Sequence, residues 1–253
     1  MKRVKAKKHF GQHFLIDLNV AQKIADNIPK NSNHLIEIGP GTGMLTQLIY
    51  NKHNKFTAIE IDKELVVFLN EKIPGIDIVN QDFLQFNLQN LDNDDLSIVG
   101  NFPYNISSQI LFKTFEYRKK VASLVGMFQL EVGDRIAASS GSKKYGILSV
   151  LIQTFFDGHK LFVVNRHVFT PPPKVKSIVI KLTRNSRHTL GCNEDLYIQV
   201  VKAAFNKRRK TLRNALNMFA FIDEHSAGSL LSKRAEELSV QDFISLTKLI
   251  SNK

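Results

Sequence analysis

The stretch Glu37-Ile-Gly-Pro-Gly-Thr-Gly43 closes a short apolar run that begins at His34. The run predicts a buried strand, and residues 44–50 predict a helix on the far side of the glycines. Because glycine has no Cβ, the backbone can turn sharply here and approach a ligand closely. The spacing is Gly-x-Gly-x-Gly, not the Gly-x-Gly-x-x-Gly of dinucleotide sites, so a pyrophosphate is not the indicated ligand.

Short apolar segments and helical segments alternate on both sides of this loop. Asp17 is placed to cap a preceding helix that carries Val20, Ile24 and Ile28. Strands are predicted at 34–38, 56–61, 76–79, 96–99 and 121–130, and helices at 44–50, 62–72 and 107–117. Asp62 is placed to cap the second of these helices. This alternation predicts a mostly parallel sheet with helices on both faces.

The later sequence predicts one further strand and then helices. Residues 175–182 alternate apolar and polar side chains and predict an antiparallel strand that pairs near residues 161–164, whereas residues 146–156 fit either a helix or a strand. Beyond residue 184 the pattern is helical throughout. We therefore predict an α/β domain over 1–185 and a small helical domain over 186–253.

Composition narrows the class of partner. The 253 residues include 35 Lys+Arg against 23 Asp+Glu, which gives a formal net charge of +12 and favours phosphate-rich partners. A single cysteine, Cys192, excludes an intramolecular disulfide, and the histidine spacing predicts no metal site. No apolar run reaches the length of a membrane span, and the basic amino terminus lacks the apolar core of a signal peptide. We expect a cytoplasmic protein that does not bind membranes.

Carboxylates follow the second and third predicted strands. Glu60 lies 21 residues beyond Gly39, where it can accept hydrogen bonds from both ribose hydroxyls of an adenosine moiety. Asp82 follows the third strand, where it can accept a hydrogen bond from the adenine amino group. Open α/β sheets bind ligands at the carboxyl ends of their strands, so these features together predict a nucleoside cofactor.

The stretch Asn101-Phe-Pro-Tyr104 directly follows the fourth predicted strand. This stretch fits the methylation of an adenine amino group. That reaction requires acceptors for both amino hydrogens, so that the nitrogen can pyramidalise. The Asn101 side-chain carbonyl and the backbone carbonyl of Phe102 or Pro103 can accept them, and Tyr104 can stack on a flipped base. No strong general base is needed, because positioning does most of the work.

Seven motifs together resemble the KsgA-type small-subunit rRNA adenine dimethyltransferases, which share a superfamily with the Erm antibiotic-resistance methylases. The resemblance runs from Lys8 to about Leu216. Its motifs are Phe10-Gly-Gln-His-Phe-Leu15, Glu37-Ile-Gly-Pro-Gly41, Glu60-Ile-Asp62, Gln81-Asp82, Gly100-Asn-Phe-Pro-Tyr-Asn-Ile-Ser107, Phe169-Thr-Pro-Pro-Pro-Lys-Val175 and Ala204-Phe-Asn-Lys-Arg-Arg-Lys-Thr-Leu-Arg-Asn-Ala-Leu216.

The resemblance implies a Rossmann-like class I methyltransferase with a mostly parallel seven-stranded sheet and S-adenosylmethionine as cofactor. It implies transfer of two methyls to each of two adjacent adenosines near the 3′ end of 16S rRNA, during ribosome biogenesis. Residues expected around the cofactor are His13, Leu15, Gly39, Gly41, Glu60, Ile61, Asp82, Phe83 and Asn101. Phe169 is expected to face the target base opposite Tyr104. Position 13 is often Asn in relatives and position 102 is often Leu, whereas His and Phe stand here.

Two basic segments are expected to contact RNA phosphates. The amino-terminal arm contributes Lys5, Lys7 and Lys8, preceded by Lys2 and Arg3. The second cluster lies on a predicted helix spanning residues 204–216 and contributes Lys207, Arg208, Arg209, Lys210 and Arg213. The expected partner is small-subunit rRNA or the immature small ribosomal subunit, bound by a monomer.

Two alternatives remain open. An Erm-type enzyme would methylate large-subunit rRNA, but the motifs at residues 169–175 and 204–216 match the KsgA type better. A non-catalytic assembly factor could keep the same fold. The intact residues Glu60, Asp82, Asn101, Pro103 and Tyr104 argue against that interpretation.

Overall fold

The computed structural model describes residues 4–53, 55–91, 95–207 and 209–251. The described strands are β1 (Phe14–Leu15), β2 (His34–Ile38), β3 (Phe56–Glu60), β4 (Ile78–Asn80), β5 (Leu96–Asn101), β6 (Val121–Gln129), β7 (Phe156–Val164), β8 (Phe169–Thr170) and β9 (Ser177–Arg184). The described helices are α1 (Leu18–Asp26), α2 (Thr46–Ile49), α3 (Lys63–Lys72), α4 (Ser107–Glu116), α5 (Leu130–Ile136), α6 (Ile147–Phe155), α7 (Glu194–Asn206), α8 (Leu212–Ala215), α9 (Glu224–Leu231) and α10 (Val240–Lys248).

A seven-stranded sheet runs in the order β4-β3-β2-β5-β6-β9-β7. The pairs β2–β3, β2–β5, β3–β4 and β5–β6 are parallel, and β9 is antiparallel to β6. The predicted Rossmann-like class is confirmed, and so is the late antiparallel strand, which lies between β6 and β7. The strand order reverses between β2 and β5, where open α/β sheets form their ligand crevice.

Burial and capping explain why the chain forms these elements. Every residue of β2 is buried, as expected of a strand with helices on both faces. The predicted caps are confirmed: Asp17 accepts a hydrogen bond from the Val20 amide at 3.0 Å, and Asp62 accepts one from the Glu64 amide at 3.1 Å. The cap at Asp62 starts α3 directly after the end of β3, so the loop between them lies at the carboxyl edge of the sheet.

The chain divides into two compact units, residues 1–133 with 158–184 and residues 134–157 with 185–253. This differs from the predicted single boundary near residue 185, because α6 belongs to the second unit. Inside that unit the hydroxyls of Thr154 on α6 and Tyr197 on α7 are 2.8 Å apart, and both side chains are fully buried. The mostly apolar sequence of residues 146–156 did not indicate that this segment packs against α7.

The predicted helix over residues 204–216 is wrong. The helix α7 ends at Asn206, and α8 begins only at Leu212. No apolar residue lies between Phe205 and Leu212, so nothing there could bury one face of a continuous helix. The basic residues Lys207, Arg209 and Lys210 therefore lie in a loop, and Arg208 lies outside the described residues. Within the described ranges, no helix is long and apolar enough to cross a membrane.

Glycines in the central strands make room for the Phe102 ring, which is 1% exposed. A Cβ placed on Gly126 of β6 would lie 2.0 Å from Cε2 of Phe102, and one on Gly100 would lie 2.8 Å from Cε1. The ring also contacts Phe128, with centroids 4.9 Å apart. Position 102 can hold a phenylalanine because these neighbouring positions carry no side chain.

We predict that Gly126→Ala lowers the free energy of unfolding by about 2 kcal/mol, because the new methyl overlaps the Phe102 ring. Adding Phe102→Leu should recover part of the loss, since the ring atoms nearest the methyl are removed. The measurement is urea denaturation of the single and double variants. Gly228→Ala is the control, because a Cβ there meets nothing within 4 Å. A wild-type midpoint for Gly126→Ala would contradict the packing described.

Candidate active site

A cavity of about 290 Å³ opens at the carboxyl ends of β2, β3 and β5, close to the lower limit for small-molecule sites. Residues from both predicted groups, cofactor-binding and catalytic, line it. They are His13, Leu15, Gly39, Gly41, Glu60, Ile61, Asp82, Phe83, Asn101, Phe102, Pro103 and Tyr104. Of the residues predicted for these two groups, Phe169 alone is outside the lining.

The glycine loop forms a cradle that other residues would strain. Gly39, Gly41 and Gly43 all have left-handed backbones, with φ of 64°, 58° and 79°. The Gly39 amide donates to the Ile59 carbonyl at 2.9 Å, which fixes the loop against the end of β3. A Cβ on Gly41 would lie 3.1 Å from the Phe14 ring. The loop thus presents backbone directly to the cavity.

Glu60 is held by the backbone at the end of β3. Its Oε2 accepts from the Gly41 amide at 3.2 Å, and its Oε1 accepts from the Asp62 amide at 3.0 Å. Burial raises the pKa of Glu60, and these backbone hydrogen bonds oppose the rise. Each oxygen keeps acceptor capacity, so the oriented carboxyl group fits the two hydroxyls of a ribose.

Asp82 and its neighbours form another part of the lining. Oδ1 of Asp82 accepts from the Leu84 amide at 2.8 Å, which fixes the orientation of the carboxylate. The apolar side chains of Phe83 and Ile61 line the cavity together with the carboxylate of Asp82, so both apolar and polar surfaces border it. This combination suits an aromatic base with an amino group.

Glu37 is a buried acid that belongs to the glycine-loop motif but has no predicted role. It is 1% exposed, and its Oε2 has no hydrogen-bond partner within the described ranges. Burial raises the pKa of Glu37 to about 8; an interaction with the Thr46 side chain opposes the rise, and the nearby charge of Glu60 adds to it. The raised pKa favours the neutral form of this carboxyl group, which lines the cavity. A buried, unpaired polar atom here fits a site that receives a polar ligand.

The amino-terminal segment supplies one side of the cavity, which the sequence pattern largely failed to predict. His9, Phe10, Gly11 and Gln12 all line it. Pairing of β1 with β8 fixes the following residues, with Phe14 opposite Thr170 and Leu15 opposite Phe169. The motif Phe10–Leu15 was the available signal, but its hydrogen-bond and strand partners Asp62, Asn101 and residues 169–171 are 50 or more residues away in the chain.

Lys7 is one of the residues predicted to bind RNA, but in the structure its ammonium forms ion pairs with two carboxylates of the chain. Its ammonium is 2.7 Å from Oδ1 of Asp62 and 3.0 Å from Oε1 of Glu64. Burial would raise the pKa of Asp62, but hydrogen bonds from Lys7 and Gln12 outweigh it and lower that pKa. The charge of Lys7 is thus committed to α3, whereas Lys5 and Lys8 are exposed.

Asn101 has a defined amide orientation. Its Nδ2 donates to the backbone carbonyl of His13 at 2.8 Å, so Oδ1 keeps its acceptor capacity in a residue that lines the cavity. The Pro103 carbonyl accepts from the Ile106 amide at 3.2 Å and from the Ser107 hydroxyl at 3.1 Å. Since both of its lone pairs are used, Phe102 is the better candidate for the second, backbone acceptor.

Tyr104 and His13 are in contact beside Asn101. Their ring centroids are 5.4 Å apart, and the ring planes are tilted by 33°. The Tyr104 hydroxyl is 2.5 Å from the hydroxyl of the buried Ser177, and burial raises the pKa of Tyr104. Nδ1 of His13 donates to the Pro171 carbonyl at 2.8 Å. Histidine at position 13 therefore links the cavity to the loop before β9.

The prediction that Phe169 faces the target base is not supported. Its side chain is 2% exposed and packs in an apolar cluster with Leu15, Val168 and Val179. The ring is buried because β8 pairs with β1, which turns Phe169 toward the core. Phe169 would have to leave this cluster to contact a base.

The fold and the site together define the class of α/β methyltransferases that bind a nucleoside cofactor. The glycine cradle, the oriented carboxyl group of Glu60 and the unpaired Oε2 of Glu37 all fit a nucleoside cofactor. The comparisons identify the family. The chain belongs to the ribosomal RNA adenine dimethylase family, whose model matches residues 3–252. S-adenosylmethionine is the methyl donor in this family.

Relatives match over the whole chain. A protein of Cytophaga hutchinsonii named ribosomal RNA small subunit methyltransferase A is 48% identical over 258 residues, covering 100% of both chains. A protein of the same name from Bacteroides thetaiotaomicron is 49% identical over 255 residues, covering 99% of this chain and 96% of the relative.

Solved structures agree on the fold. A dimethyladenosine transferase from Plasmodium falciparum superposes with a TM-score of 0.80 at 26% identity, covering 92% of this chain and 96% of that one. The 23S rRNA methyltransferase ErmE superposes with a TM-score of 0.70 at 23% identity, covering 93% of this chain and 99% of that one. The second likeness shows the fold alone.

We predict that the contribution of Glu37 to the stability of the protein falls as the pH rises from about 5 to 8. Glu37 keeps its proton when folded up to a pH of about 8, whereas the unfolded carboxyl ionises near 4.5. The slope contributed by this one group reaches at most about 1.4 kcal/mol per pH unit. Glu37→Gln should reduce this slope, as measured by urea denaturation at successive pH values. The exposed Glu71→Gln should keep the wild-type slope. Equal slopes for wild type and Glu37→Gln would contradict the assignment.

Proposed function

We propose that this chain transfers methyl groups from S-adenosylmethionine to the N6 amino groups of two adjacent adenosines near the 3′ end of small-subunit rRNA. Full-length similarity to proteins named ribosomal RNA small subunit methyltransferase A supports the choice of subunit. The observation that carries the chemistry is the side-chain amide of Asn101 in the cavity lining: its Nδ2 is held by the His13 carbonyl, and its Oδ1 keeps its acceptor capacity.

The residues of the chain would position the adenine amino group and need not remove its protons beforehand. Oδ1 of Asn101 and the carbonyl of Phe102 would accept its two hydrogens, which lets the nitrogen lone pair leave conjugation with the ring. Tyr104 would stack on the base, with its ring held by Ser177. S-adenosylmethionine, when bound, supplies an activated methyl on a positively charged sulfur.

The cofactor would be held by the residues around the glycine cradle. Glu60 would accept from the ribose hydroxyls, and Asp82 would accept from the adenine amino group of the cofactor. The left-handed Gly39 and Gly41 would let the ligand contact backbone. The apolar side chains of Leu15, Ile61 and Phe83 would cover the adenosine, with His13 beside them.

Basic residues in both units would bind the rRNA backbone. Lys5 and Lys8 are exposed on the amino-terminal segment, and Lys2 and Arg3 lie outside the described residues. In the second unit, Arg209 and Lys210 are exposed in the loop between α7 and α8. Arg213 is 3.7 Å from Glu224, a distance that leaves its exposed guanidinium available to phosphate.

The setting of the reaction is also a proposal. We infer that the chain acts in the cytoplasm as a monomer on the immature small ribosomal subunit. Its net charge of +12 and its single cysteine support a nucleic-acid partner in a reducing compartment.

The decisive experiment is transfer of labelled methyl to small ribosomal subunits from a strain that lacks its own dimethyltransferase. Nucleoside mass spectrometry then identifies the product. We expect dimethyladenosine in small-subunit rRNA. Label only in large-subunit rRNA would favour the Erm-type activity, and tight binding with no label would favour a non-catalytic assembly factor.

We predict that Asn101→Ala lowers methyl transfer by at least about a hundredfold, because one acceptor of the amino hydrogens is removed. Affinity for RNA should stay within about twofold, since phosphate contacts dominate it. The measurements are single-turnover transfer and filter binding. Asn70→Ala, an exposed position on α3, is the matched control. Retained transfer in Asn101→Ala would sink the mechanism.

We predict that replacing Lys207, Arg209 and Lys210 by Gln weakens rRNA binding and flattens its salt dependence. For every phosphate that is no longer neutralised, the slope of log K against log salt should fall by about 0.7 to 0.9. The control variant replaces Lys30, Lys52 and Lys55, which are exposed and precede β2 and β3. If both triple variants show the same slope, the loop does not bind RNA.

A further inference from the structure

Lys7 has a role that differs from the rest of the basic arm. Its ammonium contacts Asp62 at 2.7 Å and Glu64 at 3.0 Å, both at the start of α3. The side chain of Asp62 is 1% exposed, and that of Lys7 is 27% exposed. Ion pairs with one buried member are screened less than surface pairs.

Gln12 completes the contact between the arm and α3. Its Nε2 donates to Oδ2 of Asp62 at 3.2 Å, and its Oε1 accepts from the Lys7 amide at 2.7 Å. We name the four residues Lys7, Gln12, Asp62 and Glu64 the arm clasp. Residues 8–11 form a tight turn between its two attachment points, and His9, Phe10 and Gly11 in that turn line the cavity.

The arm clasp is joined directly to the ribose site. The amide of Asp62 donates to Oε1 of Glu60 at 3.0 Å, so the residue that holds the arm also orients the carboxyl group predicted to bind ribose. Residues 9–12, which form one side of the cavity, are therefore attached to the rest of its wall through the side chains of the arm clasp. A ligand bound against residues 9–12 would leave the cavity when these residues move away, or by a path around them.

We propose that Lys7 is a positioning residue for the cofactor: it holds residues 8–12 against the cofactor cavity and slows cofactor release, and it does not contact RNA. The inference rests on the proposed function, because it takes S-adenosylmethionine as the ligand. Lys7 acts through Asp62 and touches no reacting atom. Charge-assisted pairs of this kind contribute enough free energy to change a dissociation constant several-fold.

Binding of S-adenosylhomocysteine by calorimetry and stopped-flow release is the direct test. Lys7→Gln should weaken binding about three- to tenfold, mostly through faster release, whereas Lys7→Arg should restore most of the affinity. In methylation assays Lys7→Gln should raise KM for S-adenosylmethionine and leave kcat unchanged. Chymotrypsin should cleave at Phe10 faster in Lys7→Gln than in wild type.

Matched variants separate the ion pair from general effects. Lys63→Gln removes the same charge beside Asp62, from an exposed side chain on α3, and should bind like wild type. Asp62→Asn keeps a side-chain oxygen to cap α3 but loses its ion pair with Lys7, which leaves only the pair with Glu64. Lys7→Gln should therefore cost less further affinity in the Asp62→Asn background than in the wild-type protein.

The possible results are distinguishable. Unchanged binding in Lys7→Gln, or an equal effect of Lys7→Gln with and without Asp62→Asn, would overturn the inference and leave the proposed function standing. A fall of about 1 in the salt slope of RNA binding would show that Lys7 contacts phosphate, and would also overturn it. Wild-type protein that fails to bind S-adenosylhomocysteine would overturn both the inference and the proposed function.

Discussion

The carboxyl group of Glu60 is the point on which the site depends. Through the amides of Gly41 and Asp62 it connects the glycine loop after β2 with the start of α3. Both contacts are backbone donations, so their geometry is set by the fold and not by flexible side chains. If the end of β3 shifted, the glycine cradle, the carboxyl group proposed to bind ribose and the helix cap at Asp62 would move together.

Two buried acids near one another impose a cost that the ligand-free protein meets by protonation. Burial raises the pKa of both Glu37 and Glu60, and the charge of Glu60 raises the pKa of Glu37 further. Glu60 has backbone donors that offset part of this cost, whereas Oε2 of Glu37 has none in the described part of the chain. A ligand rich in hydroxyl and amino hydrogens would supply the missing donors, so the cavity is suited to a polar guest although apolar side chains line much of it.

Features encoded within a few residues were predictable from the sequence. The strands β2, β3 and β5, the caps at Asp17 and Asp62, and the cavity-lining motifs depend on local pattern, and all agree with the structure. Features that depend on partners distant in the chain could not be predicted in this way. Lys7 pairs with a carboxylate 55 residues away, and Phe169 is buried because β8 pairs with β1. The predicted helix over residues 204–216 is a local error. The basic centre of that motif offers no apolar face to pack, so α7 ends at Asn206.

The amino-terminal segment joins the two halves of the site. The carbonyl of His13 accepts from the Asn101 amide, the His13 ring contacts Tyr104, and Gln12 donates to Asp62, whose amide donates to Glu60. Adjacent residues of one segment therefore contact both the residues proposed to bind the cofactor and those proposed to bind the base. Since β1 is itself fixed by β8, the segment cannot move at His13 without disturbing the loop that leads to Ser177, the partner of Tyr104. The geometry of the proposed base site thus depends on the same short stretch that lines one side of the proposed cofactor site, although none of the residues proposed to be catalytic belongs to it.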